Sequence, residues 1–455
     1  MSFSHHPSSY RDPAGFVFYK DGRLYRQVNQ VFKDDFEYFI SSGLYEYLSS
    51  NHLLVPHQQL NENLSGTKDW FTTLQPDIVK YISYPYEWCF DMLKDAALTT
   101  LELARVAMNH GMMLKDASAY NLQWHEGKMQ FIDSLSFERY DESRPWIAYR
   151  QFCEHFYAPL ALMHYLQVPL QPLLLGYPDG LPLALASRML PFKSRLNLHV
   201  YLNLHLHAKV SAKKPGNETA GSFSRKKMLD LLRSLEESIR SFRFDSGSGV
   251  WSGYYDEALQ REAYIKHKTL LVQDWLSESG AKTIFDAGAN EGNFTLLAAG
   301  GDHSVVSADM DHYSINRLYQ LVKKENRKNI LPLVIDLSHP SPAIGVNNKE
   351  RESFSGRIKV DLVMALALVH HLVVGKNISF VQVAEFFKSM GHYLLIEFIP
   401  KEDEKLQLML SQKRDIYTGY NRENFIRSFE KYYSIVKQEK IEGSERTLYL
   451  MKVHE

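Results

Sequence analysis

The chain is 455 residues long, 45% hydrophobic and 23% charged, with 52 Lys and Arg against 53 Asp and Glu; that length predicts two domains, and the near-zero balance excludes a general attraction to nucleic acid or anionic membranes while leaving room for a local basic face. Two cysteines, Cys89 and Cys153, exclude a disulfide framework and a cysteine-built zinc site and suit a reducing compartment. The opening MSFSHHPSSYRDP lacks the apolar centre of a signal peptide, and no run nears the ~18 apolar residues of a membrane span, so a cytoplasmic protein is expected.

In chain order, GFVFYKDGRLYRQV places Asp21 and Gly22 between two aromatic-rich runs, a strong hairpin signal. FEYFISSGLYEYLSSNHLL has apolar residues at three- and four-residue spacing and predicts a helix. IVKYISYPYEW, from Ile78, reads as a strand entering a turn at Pro85, and FDMLKDAALTTLELARVAMNHGMML as a long amphipathic helix closed near Gly111. A sheet followed by a long helix is an α+β beginning.

The next stretch, LKDASAYNLQWHEGKMQFIDSLSFERY, sets Asp116, then Asn121, then a hairpin turned at Glu126 and Gly127, then Asp133. An acid, an amide and a second acid at such intervals suit phosphoryl transfer, one orienting a hydroxyl and two holding magnesium. The same residues also serve as caps and turn formers that only order a loop. The pattern resembles the catalytic and metal-binding segments of the protein-kinase-like fold, which implies Asp116 as base and Asn121 and Asp133 as magnesium ligands. Leu114 and Lys115 stand where that fold has His and Arg, and Ser134 where it has Phe. No glycine-rich phosphate loop or strand lysine is visible; Lys20, Arg23 and Arg26 are the nearest cations. Weak or absent ATP binding is therefore expected.

From Pro145 to His207 the chain is rich in Leu, His, Pro and aromatics and reads as helices covering the domain. His199, His205 and His207 invite a metal, yet nothing fixes a fourth ligand, and core or surface histidines are the simpler reading. The stretch 213–224 has linker composition, and the amphipathic MLDLLRSLEESIRSF after it reads as a connector. The expected division is an α+β domain over 1–212, a linker and connecting helix over 213–250, and a second domain over 251–455.

In that second domain TIFDAGANEGNFT, Thr283 to Thr295, is an apolar run delivering Asp286, Gly288 and Gly292 into a turn before a helix. Glycines there allow sharp bends and a close approach to a ligand, and the helix start offers free N–H groups. SVVSAD follows and ends on Asp309, where an acid roughly 20 residues on grips a ribose diol in doubly wound folds. ILPLVID, VDLVMALALVHHL and HYLLIEF repeat the apolar run without alternation, as strands covered on both faces do. The set DAGANEG, SAD, VID, VMALALVHHL, LLIEF, with YYSIVKQEKI and RTLYLMKV, resembles a class I S-adenosylmethionine-dependent methyltransferase. That resemblance implies a doubly wound, Rossmann-like sheet of seven strands with the last antiparallel. It also implies that Asp286, Gly288 and Gly292 surround the methionine part of S-adenosyl-L-methionine, with Asn290 standing where a glycine is usual. Asp309 would hold the ribose and Asp336 the adenine amino group.

His370, His371 and Glu397 lie at the ends of strands four and five, which face the acceptor in that fold, and are the candidate bases for a hydroxyl or amine acceptor. SHPSPAIGVNNKERESFSGR is long for a connection and reads as a lid or as a surface insertion. Including SYPYEW, LKDASAYN and WIAYRQF, the whole chain is similar to bacterial host-specific nodulation proteins and class I methyltransferases. The pairing of the two domain types resembles bifunctional enzymes that cap polysaccharide chains. The expected function is methyl transfer to a saccharide or other small molecule; the alternatives are a nucleoside-binding sensor or scaffold, or a two-activity methyltransferase and kinase.

Overall fold

A computed structural model of the protein describes residues 3–211, 223–245, 262–411 and 414–454. Residues 213–222 and 246–250 of the expected linker and connecting helix, and the expected start of the second domain over 251–261, lie outside the described residues. The chain divides into two compact units: Met1–Asp245 together with Gly345–Arg351, and Ser246–Ile344 together with Glu352–Glu455.

The first unit opens with an antiparallel sheet of β1 (Phe3–His5), β2 (Gly15–Lys20), β3 (Arg23–Asn29), β4 (His57–Leu60) and β5 (Trp70–Pro76), in the order β1-β2-β3-β5-β4. The β2–β3 turn carries Asp21 at φ 50° and Gly22 at φ 77°, the pair of left-handed residues that matches the twist of a two-residue hairpin. The helical stretch expected after β3 is two helices, Lys33–Ser41 and Leu44–Ser50, broken at Gly43 with φ 78°. The strand expected from Ile78 is not formed. Its aromatic side chains Tyr81, Tyr84, Tyr86 and Trp88 are buried, but Ser83 exchanges its backbone bonds with the Gln123 side chain, 2.8 and 3.0 Å, where a ladder partner would stand. Apolar content predicted burial correctly and pairing wrongly.

The Phe90–Asn109 helix buries one face along its whole length and leads into β6 (Met112–Leu114), β7 (Leu122–His125), β8 (Lys128–Phe131) and β9 (Phe137–Arg139). These form two short antiparallel pairs, β6 with β9 and β7 with β8. Helices from Tyr149 onward complete a kinase-like fold: a five-stranded sheet with helices between its third and fourth strands, then a mainly helical lobe. The Arg225–Ser241 helix, read as a connector, packs on the Phe90–Asn109 helix: Lys94 Nζ donates to Phe242 O at 2.7 Å, and Tyr157 meets Ser238 at 2.6 Å. It is a layer of the first unit, so the division falls after Asp245.

The second unit has a seven-stranded sheet: β10 (Thr283–Ala287), β11 (Ser304–Asp309), β12 (Ile330–Val334), β13 (Val360–Ala365), β14 (Gly391–Phe398), β15 (Tyr433–Lys440) and β16 (Thr447–Val453). The order is β12-β11-β10-β13-β14-β16-β15, with β16 antiparallel to both neighbours. This is the doubly wound class I methyltransferase topology. Ile284, Phe285, Val305, Val306, Leu362 and Val363 are buried, the continuous apolar filling of a sheet covered on both faces, each worth about 1.5–3 kcal/mol. Strand order reverses between β10 and β13, which opens a crevice beyond the ends of those strands.

Candidate functional site

At that crevice β10 ends on Asp286 and Ala287, and the chain turns through Gly288 (φ 78°), Asn290 (φ 50°) and Gly292 (φ 85°). Asparagine is among the few residues with a side chain that tolerate the left-handed region, so Asn290 takes the conformation a glycine would take there. The N–H groups of Gly288 and Ala289 both donate to Ala308 O, at 2.9 and 3.0 Å, folding the turn onto the end of β11. A Cβ at Gly288 would come within 3.1 Å of Leu368, and one at Gly292 within 2.5 Å of Leu318. Gly292 is thus required by packing against the His312–Lys324 helix, whereas Gly288 keeps the turn close to the loop after β13.

Asp286 is fully buried, and Thr295 donates its hydroxyl to Asp286 Oδ2 at 2.5 Å. Burial pushes its carboxyl up to about 7, with Asp309 adding repulsion. Asp309, at the tip of β11, accepts from Asn290 N at 2.9 Å and Asp311 N at 2.8 Å, and burial raises its carboxyl too. Asn290 Oδ1 accepts from Ser314 at 3.0 Å. The structure therefore brings Asp286, Gly288, Asn290 and Asp309 together. Asp336 lies two residues past β12, bonded through Oδ1 to Ser338 N and Oγ and facing Lys376 at 3.4 Å. Burial would raise its carboxyl, but those contacts hold it below the usual range.

Across the crevice, Ala367 adopts φ 51°, an uncommon conformation for a residue with a Cβ, and its N–H donates to Glu397 Oε2 at 2.9 Å. Glu397 is fully buried at the end of β14. It also accepts from Lys268 Nζ and Tyr264 OH, both at 2.7 Å, with Arg446 3.6 Å away and tied to Asp403 at 2.7 Å. Burial would raise the Glu397 carboxyl; Lys268 and Arg446 override that and hold it low. Both its oxygens are committed, so the residue expected as a base is an ion-paired clamp on the 366–369 loop. Lys268, Tyr264, Arg446 and Asp403 were not singled out in the sequence. The available signal was Tyr264 and Lys268 one helical turn apart on a face otherwise filled by Leu271, Val272 and Trp275.

His370 and His371 follow that loop, with ring centroids 4.0 Å apart. Burial holds His370 well below its ordinary value and His371 at about 4, with nearby Arg446 reinforcing both. Both rings are neutral near pH 7, and Nδ1 of His370 is buried without a hydrogen-bond partner among the described residues.

In the first unit Asp116, Asn121 and Asp133 also come together. Asp116 Oδ1 accepts from Ser118 N and Gln151 Nε2, at 2.9 and 2.8 Å. Burial raises its carboxyl and Asp133 adds repulsion, while the bonds from Ser118 and Gln151 oppose both. Asp133 Oδ1 meets Arg26 Nη2 of β3 at 2.7 Å and accepts from Leu135 N at 2.8 Å. Among the three cations noted in the opening hairpin, Arg26 is the one that reaches the acids. The histidines that invited a metal are otherwise engaged: His205 bonds Ser187 and Ser194, His199 bonds Ser234, and His207 stacks on Tyr149. Among the described residues no group of three or more His, Cys, Asp or Glu is arranged to hold a metal ion.

No protein-family model matches the sequence. Over 452 residues the chain is 30% identical to nodulation protein NoeA of Rhizobium meliloti (strain 1021), covering 97% of this chain and 94% of that one. The chain belongs to the NoeA family. Among solved structures, WbdD in a co-crystal with the kinase inhibitor LY294002 overlaps 42% of the chain and 40% of its own, with 17% identity and a TM-score of 0.29. The N-methyltransferase NodS of Bradyrhizobium japonicum WM9, in complex with S-adenosyl-L-homocysteine, overlaps 42% of the chain and 88% of its own, with 14% identity and a TM-score of 0.32. The fold of this NoeA-family chain rests on its strand order, not on these partial overlaps.

Proposed function

We propose that this NoeA-family protein transfers a methyl group from S-adenosyl-L-methionine to a saccharide or other small-molecule acceptor, using the crevice beyond β10 and β13. The observation that carries the reading is the buried Asp286 beside Asp309, two carboxylates held by neutral donors at the switch point of the sheet. Two acids held by neutral hydrogen-bond donors suit a positively charged ligand, and the cofactor would supply a methyl carbon made electrophilic by its sulfonium. Asp286 provides the compensating charge for the cofactor's cationic end. Asp309 keeps acceptor capacity beyond its two backbone bonds for a vicinal diol, and Asp336 flanks the adenine side. Gly288 leaves the turn open to close approach.

On the acceptor side, Glu397 fixes the 366–369 loop and so the placing of His370 and His371. A neutral imidazole can take a proton from a hydroxyl or amine as it attacks, which a histidinium cannot. In the kinase-like unit Arg26 already neutralises Asp133, so we assign that unit to acceptor recognition and not to phosphoryl transfer. The test is calorimetry of the full chain with the methylated and demethylated cofactor, followed by transfer of labelled methyl to candidate oligosaccharides. Micromolar binding of both, with label transfer lost in His370→Ala or His371→Ala, is expected. Absence of binding to either cofactor form overturns the proposal; tight binding without transfer to any acceptor supports a sensor instead.

A further inference from the structure

Six large apolar side chains stand exposed within one short stretch of the first unit: Phe192, Leu196, Leu198, Leu202, Leu206 and Val210. Leu196 is 78% exposed and Phe192 73%; singly exposed apolar residues need no explanation, but a cluster of them marks an interaction surface. Phe192–Leu196 form a 3₁₀ turn, and 198–211 run on as one helical stretch through a π-helical segment over Tyr201–Leu206. Leu198, Leu202, Leu206 and Val210 recur every four residues, so they form a stripe along that helix, which is about 20 Å long.

The opposite face is anchored. Val200, Leu204 and Ala208 are buried, and His205 is held between Ser187 and Ser194 at 2.8 Å each. Asn203 accepts from Tyr149 at 2.7 Å, and His199 meets Ser234 at 2.9 Å. The stripe is therefore presented to solvent in a fixed orientation.

Charge identifies what it suits. No Asp or Glu occurs between Asp179 and Glu218, while Lys193, Arg195 and Lys209 flank the stripe and are exposed. A chain of formal charge −1 thus has one acid-free stretch, although the Arg225–Ser241 helix beside it carries Asp230, Glu236 and Glu237. An apolar stripe edged by cations is the pattern of a helix lying in the headgroup layer, its aliphatic side chains in the acyl boundary and its cations on anionic headgroups. No described helix is long and apolar enough to cross a membrane, so a bilayer contact of this element would be with its surface. A second copy packed through this face by a twofold axis would set Lys193, Arg195 and Lys209 against their own kind, which opposes self-association.

We propose that the Phe192–Val210 face of the first unit seats on an anionic phospholipid surface. The inference stands independently of the methyltransferase reading. The experiment is flotation of the full-length protein with vesicles of equimolar phosphatidylcholine and phosphatidylglycerol, and with vesicles of phosphatidylcholine alone. Binding to the anionic vesicles should exceed binding to the neutral ones by about tenfold at low salt and fall as salt is raised. The double variant Leu198→Glu/Leu202→Glu should lose it by about tenfold or more, and Lys193→Glu/Arg195→Glu should lose both the binding and its salt dependence. All four positions are exposed, so circular dichroism and melting temperature should match the native chain. No flotation with either vesicle, or equal flotation of native and variant chains, overturns the proposal. So does a concentration-dependent dimer that the leucine variant dissociates without vesicle binding, since a second copy would then cover the stripe.

Discussion

Asp286 with Asp309 in the second unit and Asp116 with Asp133 in the first are both acid pairs, Asp286 buried and the other three half-buried, yet their charge is handled in opposite ways. Around Asp286 and Asp309 the partners are a threonine hydroxyl and backbone N–H groups, which orient a carboxylate without cancelling it. Around Asp133 the partner is Arg26, a guanidinium at 2.7 Å, which does cancel it. In the first arrangement the acids are hydrogen-bonded to neutral donors and Lys268 acts on Asp286 only from a distance, whereas in the second a guanidinium is in direct contact. Residue types in the two sites are similar; the neighbours decide whether a ligand has work left to do.

Glu397 is the second unit's own version of the compensated state, and removing it should give the largest effect. Glu397→Ala leaves Lys268 buried without its counter-ion, while Arg446 keeps Asp403, and should cost about 3–5 kcal/mol in urea unfolding. A loss under about 1 kcal/mol would mean that the cluster relaxes into solvent, contrary to its burial.

Next in size is the ribose contact. Asp309→Ala should weaken cofactor binding by several-fold to a hundredfold, from charge-assisted hydrogen bonds worth about 1.5–3 kcal/mol. Unchanged affinity in a folded variant would remove Asp309 from the site.

A third test sharpens the contrast through pH. The Asp286 carboxyl is raised to about 7 by burial, so ionising it opposes folding: stability is higher below the unfolded value and is lost as pH climbs towards 7. A cationic ligand favours the ionised form, so its affinity should rise about tenfold between about pH 6 and about pH 8, with proton release at the acid end. Asp286→Asn should flatten that slope; a slope that persists places the titration elsewhere.

The smallest effect is expected in the first unit. Because Arg26 occupies Asp133, magnesium and ATP should bind weakly or not at all, and Asp133→Asn should leave that baseline unmoved in calorimetry. Tight magnesium-dependent binding lost in Asp133→Asn would reverse the comparison and make this a two-activity enzyme.

Much of the second unit was legible in the sequence because doubly wound sheets write each strand as a continuous apolar run with an acid at its tip. Asp286, Asp309 and Asp336 could be placed by their strand ends alone. Glu397 could not, because a carboxylate at a strand end looks the same whether it faces solvent or Lys268 from a helix more than a hundred residues earlier. The first unit was harder. Its strands β4 and β5, HQQL and WFTTLQP, are polar and aromatic without a clear period, whereas the apolar run from Ile78 is held by bonds to the Gln123 side chain. Arg26 was visible only as one of three cations on a hairpin; register, not composition, selects it.

The segment Gly345–Arg351 belongs to the first unit although the second unit's chain surrounds it on both sides. Glu350 there accepts from Tyr10 at 2.8 Å, and Arg351 lies 4.2 Å over the Tyr120 ring, next to Asn121. During synthesis the ribosome releases Asp245 long before it releases Arg351. The amino-terminal half must therefore wait for most of the second unit's parallel strands to emerge before its last side chains arrive, so a nascent chain arrested in between holds a first unit that is folded but unfinished.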